Sequence, residues 1–109
     1  MKNTVNINGK DYKVVLGFRT TIKLEKLTGL NGNNIDMTDL TAEQGVMLAY
    51  ASLFGGAKGD LDISYEQFID SVDDNPTIYS EIFGIITNII LDNIEQAKKL
   101  IPKQEANKE

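Results

Sequence analysis

Cysteine and histidine are both absent from this sequence of 109 residues. The absence of cysteine excludes disulfides, thiolate zinc sites and a cysteine nucleophile, and it mildly favours a reducing compartment. The absence of histidine removes the commonest general base near neutral pH and the commonest transition-metal ligand. Hydrolase triads and imidazole metal sites are therefore excluded together, and we expect a protein that is not an enzyme.

Long apolar runs are also missing from the chain. No stretch reaches the roughly 18 apolar residues that a membrane-spanning helix requires. The first four residues lead directly into a short alternating segment, without the apolar core of a signal peptide. The sequence therefore predicts a cytosolic protein without a membrane partner.

Basic residues are scarce after the first quarter of the chain, and the formal net charge is −5. Residues 1–26 hold six basic and two acidic side chains, whereas residues 27–95 hold one lysine and twelve acidic side chains. Nucleic-acid binding is disfavoured, because phosphate contacts need a basic face and most of this chain would repel phosphates. An acidic, solvated surface that keeps the protein soluble is the simpler interpretation of these charges.

The N-terminal segment has the pattern of a β-hairpin. Residues 4–8 alternate polar and apolar side chains, and residues 12–16 form a second β-prone run. Asn8 and Gly9 between them suit a two-residue type I′ turn, because both central positions of that turn need a positive φ. We therefore predict a hairpin over about residues 4–16.

Four helices are predicted after the hairpin, over about residues 20–28, 41–54, 64–73 and 76–100. Thr20 or Thr21 is the expected N-cap of the first helix, and Gly29 is expected to end it. Phe18, Leu24 and Leu27 should face inward from this helix. The second and third helices begin with capping boxes, TAEQ at residues 41–44 and SYEQ at residues 64–67.

The predicted fold class is thus α+β and mostly α, with an N-terminal hairpin followed by about four helices, the last one long. Residues 1–101 are expected to form a single globular domain, because 109 residues are the usual size of one domain. Residues 102–109 have the composition of a polar C-terminal tail.

The last predicted helix is more apolar than one buried face requires. Nine of the fourteen residues from 78 to 91 are apolar, whereas a helix with one buried face shows a stripe of roughly 100°. Either this helix is central, surrounded by the hairpin and the other helices, or part of its stripe is kept for a second chain. The second interpretation makes five residues candidates for protein interaction: Ile82, Ile85, Ile86, Ile89 and Ile90.

Five charged residues complete the candidate interaction set: Lys10, Lys13, Asp70, Asp73 and Asp74. The two lysines belong to the basic hairpin and the three aspartates to the acidic middle of the chain. Such opposed charges, with an over-wide apolar helix, favour head-to-tail self-association, which generates rings or open spirals. The aspartate cluster could also hold a hard cation or form a paired acid and base, but stabilisation of the following helix N-terminus is the preferred interpretation.

Two short motifs fail as ligand sites. GGAKGD at residues 55–60 lacks both the spacing of a phosphate-binding loop and a strand before it. Counting a calcium loop from Asp60 places Tyr65 where glycine is needed and Ser71 where a bidentate glutamate belongs. The sequence therefore predicts no catalytic residues, no cofactor and no metal site.

Three segments carry a likeness to a known family: VNINGKDY at residues 5–12, LGF at 16–18 and LEKLTG at 24–29. With this order of parts, a helical remainder and this length, the chain resembles the tail assembly chaperones of long-tailed, siphovirus-type phages of Gram-positive bacteria. The resemblance implies a non-catalytic protein that binds the tape measure protein, keeps it soluble and helps recruit tail tube subunits. It also implies that the protein acts in the host cytoplasm and is absent from the mature virion.

Two other classes of protein stay open on the sequence. One is an acidic DNA mimic or inhibitor from a mobile element, which needs a contiguous acidic face, whereas these acids fall largely at predicted caps and loops. The other is a permanent phage structural component, such as a head–tail connection protein.

Overall fold

A two-stranded hairpin and four helices make up the part of the chain that the structure describes. The structure is a computed structural model, and it describes residues 3–31 and 39–100, with side chains as far as residue 95. The elements in chain order are β1 (Thr4–Ile7), β2 (Lys10–Lys13), α1 (Phe18–Thr28), α2 (Ala42–Gly56), α3 (Tyr65–Asp74) and α4 (Thr77–Leu100). The predicted α+β fold, mostly α with a long last helix, is confirmed. The predicted polar tail at residues 102–109 lies outside the described residues.

The hairpin forms around the predicted turn. Its strands pair antiparallel, from Thr4 opposite Lys13 to Ile7 opposite Lys10. Asn8 has φ 54° and Gly9 has φ 90°, the two positive angles that a type I′ turn requires. The second strand ends at Lys13 rather than near residue 16, and the chain then runs toward α1. Alternation of side chains along β1 places Val5 and Ile7 in the core.

Helix α1 begins earlier than predicted, and the expected threonine cap is wrong. Gly17 is the N-cap residue, whereas Thr20 lies inside the helix and is buried. The Thr20 hydroxyl donates to the carbonyl of Val15 at 2.5 Å, so it holds the segment that leads into the helix. Residues two apart on a helix differ by about 200° around its axis, so Phe18 faces away from the side that buries Thr20. Phe18 is therefore 90% exposed, contrary to the predicted inward orientation.

Helix α2 is the central helix of the structure. One interpretation of the sequence had placed α4 at the centre instead. Its capping box is formed as predicted, with reciprocal 3.1 Å hydrogen bonds between Thr41 and Gln44. It packs against β2, α1, α3 and α4. Small residues let these neighbours approach, and a Cβ atom added at Gly45 would collide with the hydroxyl of Tyr79 on α4. The buried residues of α2 include Leu48, Ala49, Tyr50, Ala51, Ser52 and Leu53.

Helices α3 and α4 pack against α2 and against each other, and α4 also contacts β1. The predicted capping box of α3 is present, with Ser64 accepting from the Gln67 amide at 3.1 Å. Phe68 is the fully buried residue of this helix. Extended backbone at Asn75, with φ −144°, precedes Pro76 and the start of α4, as the restriction before a proline requires.

Helix α4 buries one face in its first half, whereas most of its side chains from residue 87 to residue 95 are exposed. Ile78, Ile82 and Ile86 lie one turn apart and are buried in the core. The side chains farther along are exposed: 37% at Ile90, 54% at Leu91 and 46% at Ile94. A helix of 24 residues is about 36 Å long, so its second half extends past the residues that cover the first. Within the described ranges, no helix has the length and hydropathy of a membrane-spanning segment.

Candidate protein-binding surface

The hairpin is joined to the connection between α2 and α3 by a charged group of three side chains. The ammonium of Lys10 pairs with the carboxylate of Asp62, and the Tyr12 hydroxyl donates to the other carboxylate oxygen at 2.8 Å. The hydrogen bond from Lys10, followed by that from Tyr12, holds the pKa of Asp62 below its ordinary value. Lys10 is therefore engaged within its own chain.

One hydrogen bond joins the hairpin turn to helix α3 within one molecule. The side-chain amide of Asn8, at the hairpin turn, donates to the hydroxyl of Ser71 on α3 at 3.2 Å. Lys10 follows this turn, and Asp70 directly precedes Ser71 in the chain. The basic hairpin is therefore in contact with α3, whereas head-to-tail contact through these charged groups stays a prediction.

The glycine-rich segment at residues 55–60 ends a helix instead of beginning one. It contains the last residues of α2 and a turn in which Lys58 has φ 56° and Gly59 has φ 87°. A phosphate-binding loop requires a strand before it and a helix N-terminus after it. Beside the segment is an open cleft of about 450 Å³ whose charged residues have both signs, among them Lys10, Lys13, Asp60 and Asp62.

A second groove, between the first turns of α2 and α3, has a mainly apolar lining. Its volume is about 370 Å³, and its lining residues are Ala42, Glu43, Val46, Tyr65, Glu66 and Ile69. These six residues form groove α2/α3. Its floor is held in place, because the Tyr50 ring meets the Tyr65 ring edge to face at 5.4 Å. The Tyr50 hydroxyl also donates to the carbonyl of Ile63 at 2.7 Å, just before α3 begins.

Two carboxylates stand at the rim of groove α2/α3. Burial raises the pKa of the Tyr65 hydroxyl, and the negative charges of Glu43 and Glu66 raise it further. Both carboxylates are thus close enough to act on the same ring. The rim can neutralise cations on a bound segment while Val46 and Ile69 contact its apolar side chains.

The acidic rim continues along α3. Glu66, Asp70 and Asp73 are spaced by four and three residues, so they lie on one face of the helix. All three are exposed, as is Asp74. Asp73 and Asp74 are the last residues of α3, and Asn75 and Pro76 separate them from α4. Groups of three or more side chains placed to bind a metal ion are not found in the described parts of the chain.

The five isoleucines of α4 that were predicted to bind a partner differ in how deeply they are buried. Ile82 and Ile86 are buried in the core of their own chain, so they are not available to a partner. Ile85 and Ile89 are half-buried. Only Ile90 is at the surface, where it adjoins Leu91 and Ile94, two exposed residues that the prediction left out. The change from buried to exposed along one helix depends on where its neighbours end, which the apolar pattern does not record.

The outer face of α1 is a surface that the sequence analysis missed. Phe18, Ile22 and Lys26 follow each other at four-residue spacing, and all three are exposed. Arg19 is exposed beside them, whereas the Lys23 ammonium lies over the Phe54 ring, 4.7 Å from its centroid. The spacing of residues 18, 22 and 26 was a visible signal, but the prediction gave Phe18 an inward orientation and so missed the exposed face.

Comparison with known proteins gives no relative. The chain matches no protein-family model, no curated protein and no solved structure.

Proposed function

We propose that this chain is a tail assembly chaperone of a long-tailed phage. In this role it binds the tape measure protein without catalysis, keeps it soluble in the host cytoplasm, helps recruit tail tube subunits and is left out of the mature virion. The observation that supports binding is groove α2/α3, an apolar groove with carboxylates at its rim. The resemblance of the sequence supports the identity of the partner.

The groove fits one side of an amphipathic helix. Helix-in-groove recognition uses apolar anchors at a spacing of three or four residues, and these anchors enter a hydrophobic groove. Val46 and Ile69 provide apolar contacts from two different helices. Glu43 and Glu66 at the rim, with Asp70 farther along α3, favour a partner helix that has lysine or arginine beside its anchors. We infer that the tape measure segment has this composition.

The test is co-expression with fragments of the tape measure protein. Wild-type chain should increase the soluble yield of at least one fragment and co-purify with it. Glu43→Lys with Glu66→Lys should weaken this complex at least tenfold, because a repulsive rim replaces an attractive one. Both side chains are exposed, so the variant keeps the core.

The matched control is Asp60→Lys with Glu81→Lys, which changes net charge by the same amount at exposed positions outside the groove lining. It should bind as the wild-type chain does. Equal loss of binding in both variants would show that net charge, and not the groove, controls binding of the fragment. Failure of every fragment to gain solubility, or recovery of the chain from purified virions by mass spectrometry, would overturn the chaperone function itself.

The acidic face of α3 favours a second candidate, the acidic DNA mimic. Glu66, Asp70 and Asp73 rise along the helix over about 10 Å, so they present a short row of negative charges. A mimic would displace DNA from a basic host protein, and Asp70→Asn with Asp73→Asn would weaken that displacement. The tape measure fragment assay and the DNA competition assay separate the two functions.

A further inference from the structure

Two exposed surfaces of this chain combine apolar side chains with charges of opposite sign. The first, the α1 patch, consists of Phe18, Arg19, Ile22 and Lys26. The second, the α4 arm, consists of Leu91, Asp92, Ile94 and Glu95. Each joins two exposed apolar side chains to two exposed charges, basic on the α1 patch and acidic on the α4 arm.

We propose that the α4 arm of one copy docks on the α1 patch of a second copy. The apolar spacing is four residues on the patch and three on the arm, the combination that packs two helices at about 20°. Leu91 and Ile94 would meet Phe18 and Ile22 in this arrangement. Asp92 and Glu95 then face Arg19 and Lys26, so burial of the apolar pairs brings opposite charges together.

The occupant is a second copy because neither surface covers the other within one chain. Phe18 is 90% exposed and Leu91 is 54% exposed, so their apolar areas stay in water in the monomer. Burial of such side chains drives association. The hairpin is not required for this contact, which differs from head-to-tail contact through Lys10 and Lys13. The contact also does not depend on the phage function proposed above.

Such a contact is heterologous, since the patch of each copy meets the arm of another. When several copies dock in a row, one patch and one arm stay free at the two ends. The contact can therefore add further copies as an open helix or close into a ring. Four side chains from each partner make a small interface, and small interfaces give weak complexes. Association should therefore rise with protein concentration instead of giving one fixed dimer.

Sedimentation velocity over a range of concentrations provides the test. The wild-type chain should sediment as a growing series of species, and salt should reduce their size because the charge pairs are exposed. Phe18→Asp alone and Leu91→Asp alone should each sediment as monomer. Leu30→Asp is the matched control, because Leu30 is an exposed leucine-size side chain outside both surfaces, and it should associate as the wild-type chain does.

Mixing the two defective variants gives the sharper result. Phe18→Asp protein keeps an intact arm and Leu91→Asp protein keeps an intact patch, so the mixture should form a 1:1 heterodimer and nothing larger. Arg19→Glu with Lys26→Glu should likewise fail alone and recover when mixed with Asp92→Lys, Glu95→Lys protein. These changes are all at exposed positions, and far-ultraviolet circular dichroism checks that each variant keeps its helices.

Three results would overturn the proposal. The first is a wild-type chain that is monomeric at every concentration in low salt. The second is a mixture of the Phe18 and Leu91 variants that stays monomeric although the wild-type chain associates. The third is binding of monomeric wild-type chain to anionic lipid vesicles without self-association, which would assign the α1 patch to a lipid surface.

Discussion

Gly56 of α2 lies directly against the backbone carbonyl of Lys13 at the end of β2, with no room for a methyl group between them. A Cβ atom at position 56 would overlap both the carbonyl oxygen and the carbonyl carbon. The strand cannot move away freely, because Lys13 is paired with Thr4 and the amide of Val15 donates to the carbonyl of Ser52 at 3.1 Å. The close contact of the hairpin with the central helix therefore depends on this glycine.

Replacing Gly56 with alanine should destabilise the protein by about 1–2 kcal/mol. Overpacking costs about 1–3 kcal/mol, and the better helix propensity of alanine offsets up to about 1 kcal/mol of it. Urea unfolding followed by circular dichroism measures the difference. Gly84→Ala is the matched control, because Gly84 is exposed in α4 with nothing near its added Cβ. That control should stabilise the protein by about 0.5–1 kcal/mol.

The two halves of α4 should respond differently to truncation of an isoleucine. Ile82→Ala removes a fully buried side chain and should cost about 2–5 kcal/mol of unfolding free energy. Ile90→Ala removes a side chain that is 37% exposed and should cost less than about 1.5 kcal/mol, since part of its surface already contacts water. Equal losses at the two positions, measured by chemical denaturation, would contradict the division of the helix.

The capping box of α2 makes a measurable contribution. The Thr41 hydroxyl accepts from the Gln44 amide, one of the amides that the helix itself leaves without a partner. Thr41→Ala should therefore lower the unfolding free energy by about 1 kcal/mol. Thr87→Ala, at an exposed position inside α4, serves as the control and should have little effect or a slight stabilising one.

The group formed by Lys10, Tyr12 and Asp62 gives an acid-dependent contribution to stability. The pKa of Asp62 is lowered from 3.8 in the folded chain, chiefly by its hydrogen bond from Lys10. Because the folded-state pKa is the lower one, the contribution is present above pH 3.8 and is lost as the pH falls through the folded-state value. The pKa of Lys10 is raised from 10.5, so at the alkaline end the contribution is present below pH 10.5 and is lost as the pH rises through the higher folded-state value.

Asp62→Asn should consequently flatten the acid side of the stability profile. Urea midpoints measured at acid pH should fall less steeply in this variant than in the wild-type chain. A carboxyl-carbon titration by nuclear magnetic resonance should show the pKa of Asp62 returning toward 3.8 in Lys10→Met. A Lys10→Met chain with an unchanged Asp62 titration would remove the basis of this prediction.

Local sequence chemistry predicts the parts of this fold that depend on a few neighbouring residues. Asn8 and Gly9 determine the hairpin turn through their φ angles, and Thr41 and Ser64 start helices by bonding amides three residues away. The start of α1 was predicted wrongly because Gly17 is the N-cap residue and Thr20 lies inside the helix, where its hydroxyl accepts from the Gly17 amide and donates to the Val15 carbonyl.

Contacts between distant residues account for the other differences. The apolar pattern of α4 gives the width of its stripe but not the point where its neighbours end, so buried Ile82 and exposed Ile90 looked alike in the sequence. The charge pattern separates a basic hairpin from an acidic middle, yet the contact of Asn8 with Ser71 brings them together. Groove α2/α3 also escaped prediction, because its two walls belong to helices joined by a connection whose path the sequence does not specify.

The partial burial of α4 has a consequence for the way related sequences can change. Substitutions at Ile78, Ile82 and Ile86 disturb the packing of every element around them, so only side chains of similar volume should be accepted there. Residues 90–95 can instead change together with whatever surface they contact, at little cost to folding. One continuous helix thus contains a half that should accept few substitutions and a half that should accept many, so changes after Ile86 should alter association without preventing folding.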